Sequence, residues 1–307
     1  MVYFVFKGPA LRAHVPKRVK EFASPAGMSM SSPVSVPGNI LPKDRPDSLT
    51  SIGAWLRGKL TVLLNLSTLL YMAFKELVAE RKKGLSLVFE ITLRQVYFTG
   101  VQALKVVTVI SLALGTVVIV QIGTQLSFIG GGIEFIVPIL VLVLFRELGP
   151  LLTAIIVIGR SGTAIATELG NIVIAHELEA IQVMGINPVY FIVTPRIIGV
   201  TVAVISLTTV FITVGLLGGF WVSKLILPIT FPAFLLELDR ALTANDLLFA
   251  FLKSLIFGLL IALTCTYYGL TVRYSLIEVP QAATRGVVSA LLFCFATNAL
   301  LTVLFYL

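Results

Sequence analysis

The sequence predicts an all-α integral membrane protein with an amphipathic interfacial helix, five transmembrane helices and a short helix between the second and third spans. Of its 307 residues, 57% are hydrophobic and 12% are charged, and the mean hydropathy is +1.01. That composition is far more apolar than a soluble domain of similar length. Several apolar runs reach the ~20 residues that a helix needs to cross a bilayer, and they lack the strict alternation of a β-barrel.

The excess positive charge lies before the first clear span. Residues 1–94 hold fourteen Lys and Arg against six Asp and Glu, whereas residues 95–307 hold nine of each. The positive-inside tendency therefore places the amino terminus in the cytoplasm. Nucleic-acid binding is rejected, because the basic residues adjoin membrane spans without interleaved exposed aromatic residues.

Residues 1–50 are predicted to form a disordered, basic tail. The stretch 23–48 is rich in Ser, Pro and Gly, a composition that does not support a packed core. A basic, serine-containing leader with few acidic residues is also a feature of organelle transit peptides.

Residues 51–94 are predicted to form the interfacial region on the cytoplasmic side. From about Ser51 to Lys83, apolar residues are interrupted by charges at intervals that suit an amphipathic helix. The alternative is a short first transmembrane helix over Leu60 to Phe74.

Residues 95–307 form the predicted transmembrane domain. A polar loop over 224–246 separates the third and fourth spans, and the second span is predicted to continue as helix to about Leu169. The five predicted spans are 97–122, 135–158, 189–222, 247–270 and 287–307.

Catalytic and nucleotide-binding motifs are absent from the sequence. It has no G-x-x-x-x-G-K-[ST], no G-x-S-x-G and no H-E-x-x-H. Its two cysteines and two histidines have no metal-ligand spacing, so no metal site is predicted. The function must therefore lie in moving a substrate across or within a membrane, or in binding a partner.

Two adjacent charges, Arg146 and Glu147, follow the apolar run IVPILVLVLF in the second span. A charge at that depth costs about 2.5–3.5 kcal/mol on insertion scales, so it usually faces a cavity or an opposite charge. Adjacent helical residues point about 100° apart, which favours separate partners. One interpretation places the two residues along a substrate pathway, and the other makes them structural ion pairs, for example at a dimer interface.

The dipeptide Gly149-Pro150 follows directly. Proline can bend the helix, and another polar group must then satisfy the carbonyl that it frees. Beyond it, a run of small residues predicts a face for close helix packing. Its members are Gly159, Ser161, Gly162, Ala164 and Ala166.

A short amphipathic helix is predicted over 174–184, IAHELEAIQVM, on the cytoplasmic side. Gly185 suits a left-handed cap, and Asn187-Pro188 prevents the helix from resuming. Such a helix can lie on the membrane surface, or it can insert into a groove on a cytoplasmic subunit and act as a lever.

The run LFRELGPLLTAIIVIGRSGTAIATELG, followed by E-x-x-x-x-x-G-x-[ND]-P and TPR, closely resembles the MlaE/YrbE family. These proteins are the permease subunits of MCE-associated ABC lipid transporters. The resemblance covers roughly residues 51–307 in layout and is strongest over 145–196. The first 50 residues extend beyond the family pattern.

The resemblance implies a homodimer of permeases bound by two cytoplasmic ATPase subunits and by a ring of periplasmic MCE proteins. The substrate would be a phospholipid or a related hydrophobic lipid. The implied location is a bacterial inner membrane, and the chloroplast inner envelope is the alternative. ATP and Mg would bind to the ATPase, and this chain, which is not itself an enzyme, would bind no cofactor.

Site residues are carried over by position in the matching segment. Arg146, Glu147 and Pro150 would lie at the lipid cavity. The implied coupling helix comprises Ala175, His176, Glu177, Leu178, Glu179, Ala180, Ile181, Met184 and Gly185.

The alternative functions are an ion-coupled secondary transporter and a non-transporting membrane scaffold. An ion-coupled secondary transporter would use Glu147 as its titrating group, but five spans give no evident inverted repeat. A non-transporting scaffold would use the cytoplasmic helix only to dock a partner. Dependence of transport on an ATPase subunit separates both from the permease hypothesis.

Overall fold

The computed structural model describes residues 48–79, 85–129, 133–225, 230–273 and 275–306. The predicted tail of residues 1–50 lies outside the described residues except for its last three. The packing described below is that of the unit Ala54–Leu307. In chain order the α-helices are α1 Ser48–Ala79, α2 Leu85–Thr99, α3 Leu104–Ile129, α4 Ile133–Val141, α5 Gly149–Val157, α6 Thr163–Ile174, α7 Glu177–Val183, α8 Thr194–Ser223, α9 Phe231–Ala241, α10 Ala244–Leu270 and α11 Glu278–Tyr306.

The protein is an all-α integral membrane protein, as predicted, and the described residues contain no β-strand. Five helical segments are long and apolar enough to cross a membrane. They are Ser86–Gln125, Phe135–Ile174, Val189–Val222, Ala244–Leu270 and Glu278–Phe305.

The first two spans are longer than predicted. The first begins at Ser86, and near its start the charged residues Glu90 and Arg94 pair within one helical turn at 2.9 Å. The second continues to Ile174. At 1.5 Å per residue its 40 residues extend about 60 Å, twice the ~30 Å hydrocarbon core, so its end projects from the membrane.

The polar loop predicted over 224–246 contains helix α9. Pro232 lies in its first turn, where a missing N–H costs nothing. Phe234 is buried, with its ring centroid 4.7 Å from that of Phe220 on α8. An aromatic contact thus holds this helix against the end of the third span.

Two helix contacts organise the core. Helix α8 lies against α3 through Gly115, Gly215 and Gly219, where backbones approach so closely that a Cβ on Gly115 would lie 2.0 Å from the Gly215 carbonyl oxygen. Helix α10 packs against α6, α8 and α11 and thereby joins the second, third and fifth spans.

π-helical segments interrupt the second span at Leu142–Leu148 and Ile158–Gly162, and a third, Val189–Val193, opens the third span. Pro150 and Pro195 lie in the α-helical turns that follow the first and third of these. In such segments some carbonyl groups lose their usual backbone N–H donor. Side chains donate to carbonyl groups of the first and third segments.

Candidate functional site

Arg146 and Glu147 lie in the first π-helical segment, and each pairs with a different residue of α10. Arg146 Nε lies 2.5 Å from Asp246 Oδ1, and Glu147 Oε1 lies 3.2 Å from Lys253 Nζ. The charge cluster, defined as Arg146, Glu147, Asp246 and Lys253, therefore joins the second span to the fourth by two ion pairs.

Lys253 is fully buried, as is Asp246, with 0% and 1% of their side chains exposed. The lysine makes three hydrogen bonds. Its ammonium donates at 2.6 Å to the carbonyl oxygen of Arg146, and also to Glu147 and to Thr302 Oγ1 at 3.0 Å. Because Pro150 has no N–H, it cannot provide the i to i−4 hydrogen bond to the Arg146 carbonyl. The lysine of the fourth span thus satisfies the carbonyl that proline frees in the second.

The Glu147 carboxylate also bonds to the fifth span. Asn298 Nδ2 donates to Glu147 Oε2 at 2.9 Å, and Thr302 Oγ1 donates to Oε1 at 2.8 Å. With Lys253, these residues give the carboxylate three donors from two helices. Three spans therefore meet at one carboxylate inside the membrane.

Asp246 uses both carboxylate oxygens. Oδ1 pairs with Arg146, and Oδ2 accepts from the backbone N–H of Thr243 at 3.0 Å. The Thr243 side chain in turn accepts from the Asp246 N–H, which completes a capping box at the start of α10. The position of Arg146 is thus tied to the end of a helix.

A cavity of about 550 Å³ adjoins the charge cluster, between α8, α9 and α10. Phe145 and Leu247, which line it, neighbour Arg146 and Asp246 in sequence. Its other apolar lining residues are Ile205, Ile212, Leu216, Leu217, Leu238, Leu242, Ala250 and Phe251.

Four hydroxyl groups also line the cavity, and each donates to a carbonyl of its own helix. Thr208, Thr209 and Thr213 bond to residues four positions earlier, and Ser254 bonds to Phe251, at 2.8–3.0 Å. The hydroxyl hydrogens are therefore directed into the helices, and the wall is chemically apolar.

Phe145 lines the cavity, whereas the predicted cavity residues Arg146, Glu147 and Pro150 do not. Pro150 is buried, whereas the Arg146 and Glu147 side chains are 22% and 29% exposed. Arg146 and Glu147 follow the lining residue Phe145 in sequence, and part of each side chain is accessible.

The predicted coupling residues Ala175–Gly185 include helix α7, which is bounded by left-handed residues. His176 precedes it with φ 56° and Gly185 follows it with φ 75°, and the Gly185 N–H bonds to Gln182. A helix resumes at Pro188, where Asn187 Oδ1 accepts from the Val189 N–H. Asn187-Pro188 therefore separates α7 from the helix of the third span, which was predicted to begin at 189.

Helix α7 has a packed side and an exposed side. Leu178 and Ile181 pack against the hydrophobic core. Val183 is 89% exposed, and Met184 beside it is also exposed. Ala175, His176, Glu177, Glu179 and Ala180 are exposed as well.

The chain matches the Permease MlaE family over residues 92–304, which is more than half of its length. The chain belongs to the MlaE permease family. It is an ABC transporter permease of that family, and the family resemblance seen in the sequence is confirmed.

Relatives of this MlaE-family permease occur in bacteria and plastids. A probable ABC transporter permease protein, slr1045 of Synechocystis sp., is 30% identical over 70% of this chain and 81% of its own length. The chloroplastic protein TRIGALACTOSYLDIACYLGLYCEROL 1 of Arabidopsis thaliana is 30% identical over 70% of this chain and 61% of its own length. The probable ABC transporter permease protein RP096 of Rickettsia prowazekii is 28% identical over 82% of this chain and 97% of its own length.

Sequence reasoning on this MlaE-family permease missed half of the charge cluster. Lys253 interrupts the apolar run FAFLKSLIF of the fourth span, a signal equal to that of Arg146. Asp246 was assigned to the end of a polar loop, although Thr243 three residues earlier marks it as a capping-box residue. Asn298 and Thr302 carry no comparable signal.

Proposed function

We propose that this chain is the permease subunit of an ABC transporter that moves phospholipid, or a related hydrophobic lipid, between the membrane and MCE proteins on its far side. Two copies would form the permease, and each would bind a cytoplasmic ATPase subunit. ATP and Mg would be held by that ATPase. A bacterial inner membrane, with the amino terminus in the cytoplasm, is the proposed location, and the chloroplast inner envelope is the alternative.

The observation that carries this proposal is the apolar cavity between α8, α9 and α10. Its volume of about 550 Å³ falls in the range of small-molecule sites. Since its four hydroxyls donate to their own helices, a polar solute would gain few hydrogen bonds there to replace its hydration. A hydrocarbon chain loses nothing on entry, so the cavity suits an acyl chain.

The charge cluster suits the polar end of the same substrate. Arg146 and Glu147 follow the lining residue Phe145 and have part of their surface accessible, and Pro150 frees the carbonyl that Lys253 binds. We propose that these residues border the lipid cavity, where a headgroup would meet both signs of charge.

ATP hydrolysis on the partner subunit would be coupled to the permease through Ala175–Gly185. The chain has no P-loop, so nucleotide binding requires another subunit. Helix α7 offers exposed Val183 and Met184 beside acidic Glu177 and Glu179, a combination that fits insertion into a groove on a partner.

Filling the cavity tests the lipid assignment. Thr213→Trp places an indole in the cavity and should lower the phospholipid that co-purifies with the permease by at least about threefold, as expected for loss of an apolar pocket. Mass spectrometry of lipid extracted from the purified protein measures this.

Thr124→Trp is the matched control. Thr124 is also an exposed threonine whose hydroxyl bonds to a carbonyl four residues earlier at 2.9 Å, but it lies on α3 away from the cavity. Co-purified lipid should be unchanged in this variant. An equal lipid content in wild type and both variants would contradict the cavity assignment.

A further inference from the structure

Helix α7 is joined to the second and third spans by short connections with unusual backbone geometry. Ala175 and His176 connect it to α6, and residues 184–188 connect it to the π-helical segment Val189–Val193. The left-handed residues His176 and Gly185 stand at its two ends. Motion of α7 alone could therefore be absorbed by rotation at these two residues.

An ion pair joins the two helices that flank those connections. Glu168 Oε1 on α6 lies 2.9 Å from Arg196 Nη2 on α8. The Arg196 side chain is 9% exposed, whereas that of Glu168 is 60% exposed. The arginine is thus fixed in the protein and the glutamate reaches it from the surface.

The guanidinium of Arg196 is held from a second side. Nη1 donates at 3.0 Å to the carbonyl of Ile192, within the π-helical segment. Nε is buried and has no hydrogen-bond partner among the described residues. Arg196 therefore holds both Glu168 and the start of its own span, at the cost of one unsatisfied donor.

The two helices that this pair connects both pack on α10, and each also has neighbours of its own. Helix α6 packs on α10 and α11, whereas α8 packs most extensively on α3, α10 and α2. The ion pair therefore links α6, which also packs on α11, directly to α8, which also packs on α3 and α2.

We propose that Glu168 and Arg196 form a clamp that makes the second and third spans respond together when the ATPase displaces α7. The two are positioning residues, since they lie outside the lipid cavity and act through the helices that carry them. The clamp rests on the proposed function, because it transmits the force that the ATPase would supply. Without the clamp, part of each displacement would be lost as rotation at His176 and Gly185.

Removing the charge of Glu168 tests the clamp with little effect on folding, because this side chain is mostly exposed. In vesicles that hold the permease, its ATPase and its MCE partner, the readout is the number of fluorescent phospholipids transferred per ATP hydrolysed. Glu168→Gln should lower this ratio by about threefold or more, within the range of coupling effects of single residues. Glu168→Asp keeps the carboxylate and should recover most of the loss.

Glu90→Gln is the control, because Glu90 also pairs with an arginine at 2.9 Å but within the single helix α2. Its ratio should equal that of wild type. An unchanged ratio in Glu168→Gln, or equal losses in the Gln and Asp variants, would overturn the clamp while leaving the proposed function intact. Absence of ATP-driven transfer in wild type would overturn the proposed function and the clamp with it.

Discussion

Lys253 explains how a proline is accommodated within the second span. Its ammonium satisfies the Arg146 carbonyl that Pro150 frees, and the same ammonium neutralises Glu147. One buried ammonium group thus satisfies a backbone acceptor and also neutralises a side-chain charge. Lys253 therefore has a structural role that does not depend on substrate binding by Arg146 and Glu147.

Replacing Lys253 with methionine should destabilise the permease by about 3 kcal/mol, the lower end of the range for breaking a buried pair. The lower end applies because the Glu147 side chain is 29% exposed. The double variant Lys253→Met, Glu147→Gln should recover part of the loss, because no unpaired charge remains. Denaturant titration in detergent measures both, and equal destabilisation of the single and double variants would contradict the pairing.

The sequence predicts that Arg146 and Glu147 each need a partner in the membrane, but it does not identify the partner residues. The 100° offset of adjacent helical residues correctly indicated that Arg146 and Glu147 would not pair with each other. Their partners lie about one hundred or more residues away, at 246, 253, 298 and 302. Only tertiary packing, which one sequence does not encode in any local pattern, brings them together.

Glycine contacts decide how the helices pack. The sequence favoured the small residues from Gly159 to Ala166, and of these Gly162 does pack closely, since a Cβ there would lie 2.9 Å from Cys265 Sγ. Gly159 has nothing within 4 Å of its Cβ position. The tightest backbone contact is that of Gly115 with Gly215 on α8, which composition alone does not distinguish from other glycines in apolar spans.

Gly115→Ala should destabilise the permease by about 1–3 kcal/mol, because its methyl group would overlap the backbone of Gly215. Gly159→Ala is the matched control and should be neutral or stabilising by up to about 1 kcal/mol, since it adds only helix propensity. The midpoint of thermal unfolding in detergent reports both. Similar losses in the two variants would contradict this account of the α3 and α8 contact.

On the scale of the whole molecule, hydropathy predicts the spans well and their ends poorly. All five spans were predicted, because about twenty apolar residues in sequence have few other uses. The extension of the second span to Ile174 was missed beyond Leu169, since helix outside the membrane leaves no hydropathy signal. Helix α9 was missed because Pro228 and Pro232 indicate a loop, although Pro232 begins the helix.

The proposed function requires that an ATPase acting on α7 drives lipid through the cavity. ATP-dependent phospholipid transfer from vesicles to the MCE partner measures that claim directly. Val183→Asp, at the 89% exposed last residue of α7, should abolish both ATPase binding and transfer, because it places a charge on the proposed apolar docking surface.

Leu225→Asp is the control, since Leu225 is 87% exposed but follows α8 at the opposite end of the third span. We predict that this variant transfers lipid as wild type does, and that wild type without its ATPase transfers none. Transfer that continues in Val183→Asp, or in the absence of any ATPase subunit, would contradict the account.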